Sequence, residues 1–159
     1  MRFFSHQHEK NFNTLIQEDN THLQDKERYS LFYILSGNSD LFRKRHHIYD
    51  FADSSIIPEC LTNGAVDFCS SSKALIRLGF NLYSSYEDEY TSPIDILCNL
   101  DEQNYNLAIQ SLNIRFGMAR ENEIDLEDEQ EEEYDMSIKV TEDIENSSVS
   151  ITQKPKPKP

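Results

Sequence analysis

The sequence predicts an all-α fold, a compact bundle of about five to six helices over residues 1–118, followed by an acidic, mostly disordered tail over 119–159. Three observations predict it. Sixteen of the 17 aromatic residues, Phe3 to Phe116, precede Gly117. Apolar residues in this front recur at helical spacing behind good capping residues. After Met118 the composition changes: residues 121–145 hold 13 acids and one base, and the chain closes on Lys154-Pro155-Lys156-Pro157-Lys158-Pro159.

Taken in order, Ser5 is placed to cap a first helix over about 6–18. Phe12, Leu15 and Ile16 form its stripe, and Phe3 or Phe4 packs against its start. Asp25 caps a second helix that runs to Ser36 and ends at Gly37-Asn38. Its Tyr29, Leu31, Phe32, Tyr33, Ile34 and Leu35 cover most of the circumference, the pattern of a central, buried helix. Ser39 caps a third, on which Leu41, Phe42, Ile48 and Tyr49 make one stripe until Asp53-Ser54-Ser55 breaks it.

Pro58 opens a short helical turn carrying Cys60 and Leu61, and Asn63-Gly64 turns the chain. A fourth helix is expected from about 65 to 85, with Leu75, Leu78, Leu82 and Tyr83 on one face. The run Ser70-Ser71-Ser72 is a place for it to kink. Gly79, inside this pattern, points to close approach of a neighbouring helix. Ser92-Pro93 starts a short fifth helix with Ile96 and Leu97. Asp101 caps the last, 102–116, whose stripe is Tyr105, Ala108, Ile109, Leu112 and Phe116, and Gly117 ends it. Within the tail, Met136, Ile138 and Val140 alternate with polar residues, as in a short strand or a segment that joins a partner's sheet.

The net charge is −14. Residues 1–118 contribute 16 acids against 10 bases, so most of the excess belongs to the tail. Such a chain repels nucleic acid and anionic lipid, which argues against direct nucleic-acid binding and against a membrane surface. No apolar run approaches the roughly 20 residues of a membrane span. Cys60, Cys69 and Cys98 are odd in number and lack a short pair spacing, which reads as free, mostly buried thiols in a reducing, cytoplasmic compartment.

From Tyr29-Ser30-Leu31-Phe32-Tyr33-Ile34-Leu35-Ser36-Gly37-Asn38 through Asp40-Leu41 and Ile48-Tyr49-Asp50-Phe51, the chain resembles a family of small uncharacterised proteins. These occur in low-GC Gram-positive bacteria, often in prophages and other mobile elements. Leu78-Gly79-Phe80-Asn81-Leu82-Tyr83 and the span from Leu100-Asp101-Glu102-Gln103-Asn104 to Ile114-Arg115-Phe116 carry it further. The resemblance covers about residues 3–117 and leaves out the tail. It implies a bacterial or phage setting and transfers no functional residue.

Candidate chemistry is sparse. Arg43-Lys44-Arg45-His46-His47 is the one basic cluster, and on a continuous helix it would wrap the axis. His6 and His8 diverge. No Cys-x-x-Cys or His-Glu-x-x-His pattern, phosphate-binding glycine loop or nucleophile elbow appears, so no cofactor is expected. A metal site would have to join His46 to Cys60 or Cys69. Asp25, Asp95 and Asp101 read as caps. Asp50, near a helix C-terminus, is expected to pair with Arg43, His46 or His47. Tyr83, Tyr86 and Tyr90 fall on an exposed loop and suit a contact patch.

The densest charge is Glu127, Asp128, Glu129, Glu131, Glu132 and Glu133, spaced closely enough to imitate a phosphate backbone. The sequence therefore points to a non-enzymatic interaction or regulatory protein with a protein partner. Its acidic tail engages a basic partner surface, or its own Arg43, Lys44, Arg45 and His46. The alternatives are a nucleic-acid-mimicking or counter-defence protein and a small metal-dependent enzyme.

Overall fold

The computed structural model describes residues 1–118. Six α-helices build the domain: α1 (His6–Asp19), α2 (Lys26–Gly37), α3 (Ser39–Arg43), α4 (Ser70–Ser84), α5 (Pro93–Leu97) and α6 (Glu102–Phe116). Helix α2 is the hub and packs against α1, α4 and α6. All seven residues from Ser30 to Ser36 are buried, as its all-round apolar pattern requires. Its two buried serines bond within the helix, Ser30 to the Glu27 carbonyl and Ser36 to that of Tyr33. They therefore cost the core little.

Sequence caps set most helix starts. Ser5 accepts from the His8 amide, Asp25 from Arg28, Ser92 from Asp95 and Asp101 from Asn104. Gly117, at a φ of 70°, ends α6 in the left-handed conformation that favours glycine. Phe3 lies over the start of α1 with its ring 5.4 Å from Phe12 and 5.9 Å from Tyr33.

The expected third helix is shorter than its stripe. Its cap is Asn38, whose side chain accepts from the amides of Asp40 and Leu41, and it stops at Arg43. A 3-10 turn, Arg45–His47, follows. Then β1 (Tyr49–Asp50) pairs antiparallel with β2 (Ser55–Ile56), Tyr49 opposite Ile56 and Asp50 opposite Ser55. Ile48 and Tyr49 are fully buried, but from an extended segment. Tyr49 lies edge-on to Phe32 and Tyr83. Its hydroxyl donates to Asp19 at 2.9 Å. Asp50 is paired with none of the expected cations: its carboxylate accepts from the backbone amides of Ala52 and Asp53 and shapes the hairpin turn.

A second 3-10 turn, Pro58–Leu61, carries buried Cys60 and Leu61 as the sequence suggested. Helix α4 starts at Ser70 instead of near 65, so the serine run opens the helix and does not kink it. Cys69 is the cap, its sulfur accepting from the Ser72 amide at 3.4 Å. Among the three thiols only Cys60 is buried; Cys69 and Cys98 are exposed, contrary to the expectation of mostly buried cysteines. Tyr83 lies within α4 and packs on the core, as does Tyr86, which leaves Tyr90 as the exposed member of that series.

Candidate functional site

The basic segment does not form one free patch. Arg43 and Lys44 both reach Asp40, at 2.5 and 2.8 Å. The Lys44 ammonium also donates to the Asp67 carbonyl and lies 5.0 Å from the centre of the Phe68 ring. The hydrogen bond from Lys44, joined by that from Arg43, holds the Asp40 carboxyl below its ordinary range. Arg45 and His46 turn the other way, to Glu18, at 3.1 and 3.5 Å. The break between α3 and the 3-10 turn thus splits the cluster in two, and each half meets an acid of the same domain. Arg43 is the most exposed of the three cations, with 74% of its side chain accessible. Glu127, Asp128, Glu129, Glu131, Glu132 and Glu133, and the Met136–Val140 alternation, lie outside the described residues.

Of the groups that would form a His46–cysteine metal site, His46 lies 3.5 Å from Glu18, Cys60 is buried and Cys69 caps α4. Among the described residues no three His, Cys, Asp or Glu side chains converge as a metal site would require. No described helix is long and apolar enough to cross a membrane.

A buried carboxylate organises the other polar cluster. The Asp19 side chain, at the end of α1, is fully buried. It accepts from Thr21 at 2.6 Å, Tyr49 at 2.9 Å and Ser54 at 3.3 Å, and lies 3.4 Å from the Arg28 Nε. Arg28 also donates to Tyr49 and to Asp25. The Tyr83 hydroxyl closes the cluster by donating to the Ser54 carbonyl. Among the described residues no buried side-chain polar atom lacks a partner. This satisfied network ties α1, α2, the hairpin and α4 together.

Helix α6 carries the surface that sequence reasoning misjudged. Its buried residues are Leu107, Ala108, Ser111 and Ile114, which face α2 and α4. Of the predicted stripe, Ala108 belongs to this buried face and Leu112 packs half-buried against the core; the rest lies further out. Tyr105, Ile109 and Phe116 fall within an arc of about 40° on the wheel, on the far side of Leu112 from buried Ala108. Tyr105 is 44% exposed, Phe116 63%, and Met118 just beyond the cap 69%. Ile109 and Leu112 are half-buried. The apolar surface of the helix is thus wider than the face the domain buries, and its outer edge, Tyr105 and Phe116, looks outward. In sequence the acidic stretch starts three residues after Met118, at Glu121.

A family of unknown function, DUF6075, matches residues 1–128. The chain belongs to that family. The DUF6075 match extends beyond the resemblance seen in the sequence and takes in the first acids of the tail, Glu121 to Asp128. Comparison with the curated proteins and with the solved structures returns no match.

Proposed function

We propose that this DUF6075 member is a non-enzymatic interaction or regulatory protein whose acidic tail engages a basic partner surface, the outer edge of α6 being a separate apolar contact surface of the helical domain. The carrying observation is the outer apolar edge of α6, with Tyr105 and Phe116 exposed and Met118 exposed just beyond the helix. Exposed apolar stripes on a helix mark contact sites. The tail calls for a partner surface rich in cations, and the α6 edge for an apolar one. The chain's own basic segment is engaged by Asp40 and Glu18. That favours a partner's cations over the cluster at Arg43–His46. The bacterial or mobile-element setting implied by the resemblance, and a cytoplasmic location, belong to the same reading.

The test is affinity capture from native lysate with the full chain, a Phe116→Glu variant, and a variant with Glu127, Asp128, Glu129, Glu131, Glu132 and Glu133 changed to amides. The expected result is one partner held by the full chain, lost at high salt, and weakened by either variant. Equal capture by all three overturns the reading. The acid density of 127–133 also supports a nucleic-acid-mimicking role. Displacement of DNA from the captured partner by the full chain is the outcome particular to that role.

A further inference from the structure

A groove of about 440 Å³ lies between the first half of α4, the Pro58–Leu61 turn and α5. Nothing in the proposed contact surface uses it. One wall is α4, with Lys73 and Arg77 one turn apart. The other wall carries Asp95 and Asn99. Leu61 and Ala74, both buried, give an apolar floor, and Tyr90 stands at the edge.

The charges in this groove are arranged unusually. Arg77 is held: its Nε donates to Asp88 at 2.7 Å and its guanidinium lies 5.0 Å from the Tyr90 ring centre. Lys73 is half-buried, and no described acid forms an ion pair with it. It stands near the start of α4, where the helix dipole disfavours a cation. Helix α4 is also the one α-helix of the six with no acid in its first turn. Across the groove, the Asp95 carboxylate accepts from the Ser92 hydroxyl and makes no ion pair with Lys73. A donor-rich wall therefore faces an acceptor-rich wall, with Arg77 already compensated by Asp88 and the remaining charges, Lys73 and Asp95, opposite in sign.

We propose that this groove binds a free α-amino acid with an apolar or aromatic side chain. The carboxylate lies against Lys73 and the start of α4, the ammonium against Asp95, and the side chain over Leu61, Ala74 and the Tyr90 ring. Near-neutrality of the groove decides the class. A phosphate dianion would leave Asp95 facing like charge, whereas a zwitterion gives each wall its opposite. The volume is within the range of small-molecule sites.

Calorimetric titration of the full-length protein tests this, with L-phenylalanine and L-leucine set against N-acetyl-L-phenylalanine, L-phenylalaninamide and AMP. Saturable binding of an amino acid is expected, at least tenfold weaker for each analogue that lacks one charge. Lys73→Met and Asp95→Asn should each weaken it at least tenfold with the melting curve unchanged. Lys73→Met carries the test if Asp95→Asn disturbs α5. No saturable amino-acid binding, equal binding of a single-charge analogue, tighter binding of AMP, or an unaffected Lys73→Met variant each overturns the proposal.

Discussion

Gly79 of α4 and Leu31 of α2 meet so closely that a β-carbon on Gly79 would lie 2.8 Å from the Leu31 Cδ1. Both residues are buried at the centre of the domain, Leu31 fully. Glycine inside a helix costs about 1 kcal/mol relative to alanine. Here it lets the two helices approach. Gly79→Ala gains helix propensity but forces the buried Leu31 side chain to shift, at a cost of about 1–3 kcal/mol. The expected net effect is a loss of about 1 kcal/mol, read from the urea midpoint. In a Leu31→Ala background the clash is gone, and the same substitution should become neutral or stabilising. Destabilisation of equal size in both backgrounds would falsify the close-approach explanation.

The Asp19 cluster makes a second quantitative case. Truncating Asp19 to alanine strands the Tyr49 hydroxyl and removes a carboxylate beside Arg28. Breaking a buried pair costs about 3–5 kcal/mol. The Arg28 side chain is 26% exposed, so water recovers part of that. A loss of about 2–3 kcal/mol is expected for Asp19→Ala, and about 1–2 kcal/mol for Tyr49→Phe, which deletes two hydrogen bonds, one to Asp19 and one from Arg28. The two should be strongly non-additive, since they remove the same contact. Additive losses in a double-mutant cycle would show that Asp19 and Tyr49 act separately.

The places where sequence reading failed share a physical cause. Caps and the all-round apolar α2 were legible because they are local: Ser5, Asp25, Ser92 and Asp101 each bond an amide three residues away. Ile48 and Tyr49 looked helical because burial, which periodicity does report, was required of both. Their backbone was decided by distant partners, Asp19 and Phe32 above all, which override weak helix formers such as His, Ile and Tyr. The start of α4 was misplaced because serine was read as an interior residue although it favours helix ends. On α6 the apolar arc is wider than the face the domain buries, and periodicity alone does not say where burial stops. The Lys73–Asp95 groove was invisible for a related reason: its walls come from segments about 20 residues apart, and nothing local pairs them.

The three thiols should separate cleanly by reactivity. Hydrogen bonding between its sulfur and Ser72, first with the hydroxyl and then with the amide, holds the exposed Cys69 below its ordinary range. Burial pushes Cys60 up to about 12. Thiolate is the reacting form, so an alkylating reagent at pH 7.5 should label Cys69 quickly and leave Cys60 untouched in the folded protein. Ser72→Ala should slow Cys69 labelling and leave the exposed Cys98 unchanged. Peptide-resolved mass spectrometry follows all three. Rapid labelling of Cys60 without denaturant would contradict its burial.

His8 gives the domain a pH dependence of definite sign. Its ring is 3% exposed, with centroids 5.1 Å from Phe3 and 4.5 Å from Tyr33. The Phe4 amide donates to Nδ1 at 3.4 Å, so the ring proton sits on Nε2, 3.2 Å from the Tyr33 carbonyl. Burial lowers the His8 pKa below its ordinary 6.5, and the bond to Tyr33 opposes this only in part. A second proton on Nδ1 would also point at the Phe4 N–H. In this window the unfolded chain binds more protons than the folded one, so stability rises with pH. The contribution is complete above pH 6.5 and is lost as pH falls from there toward the folded-state value. His8→Gln removes the titration while keeping a polar side chain. It should lower stability overall and flatten the slope just below pH 6.5, before carboxylates begin to titrate. Comparing the two proteins at each pH cancels the exposed histidines, including His46 beside Glu18. Identical slopes for the two proteins in urea titrations across that window would show that His8 is not the group responsible.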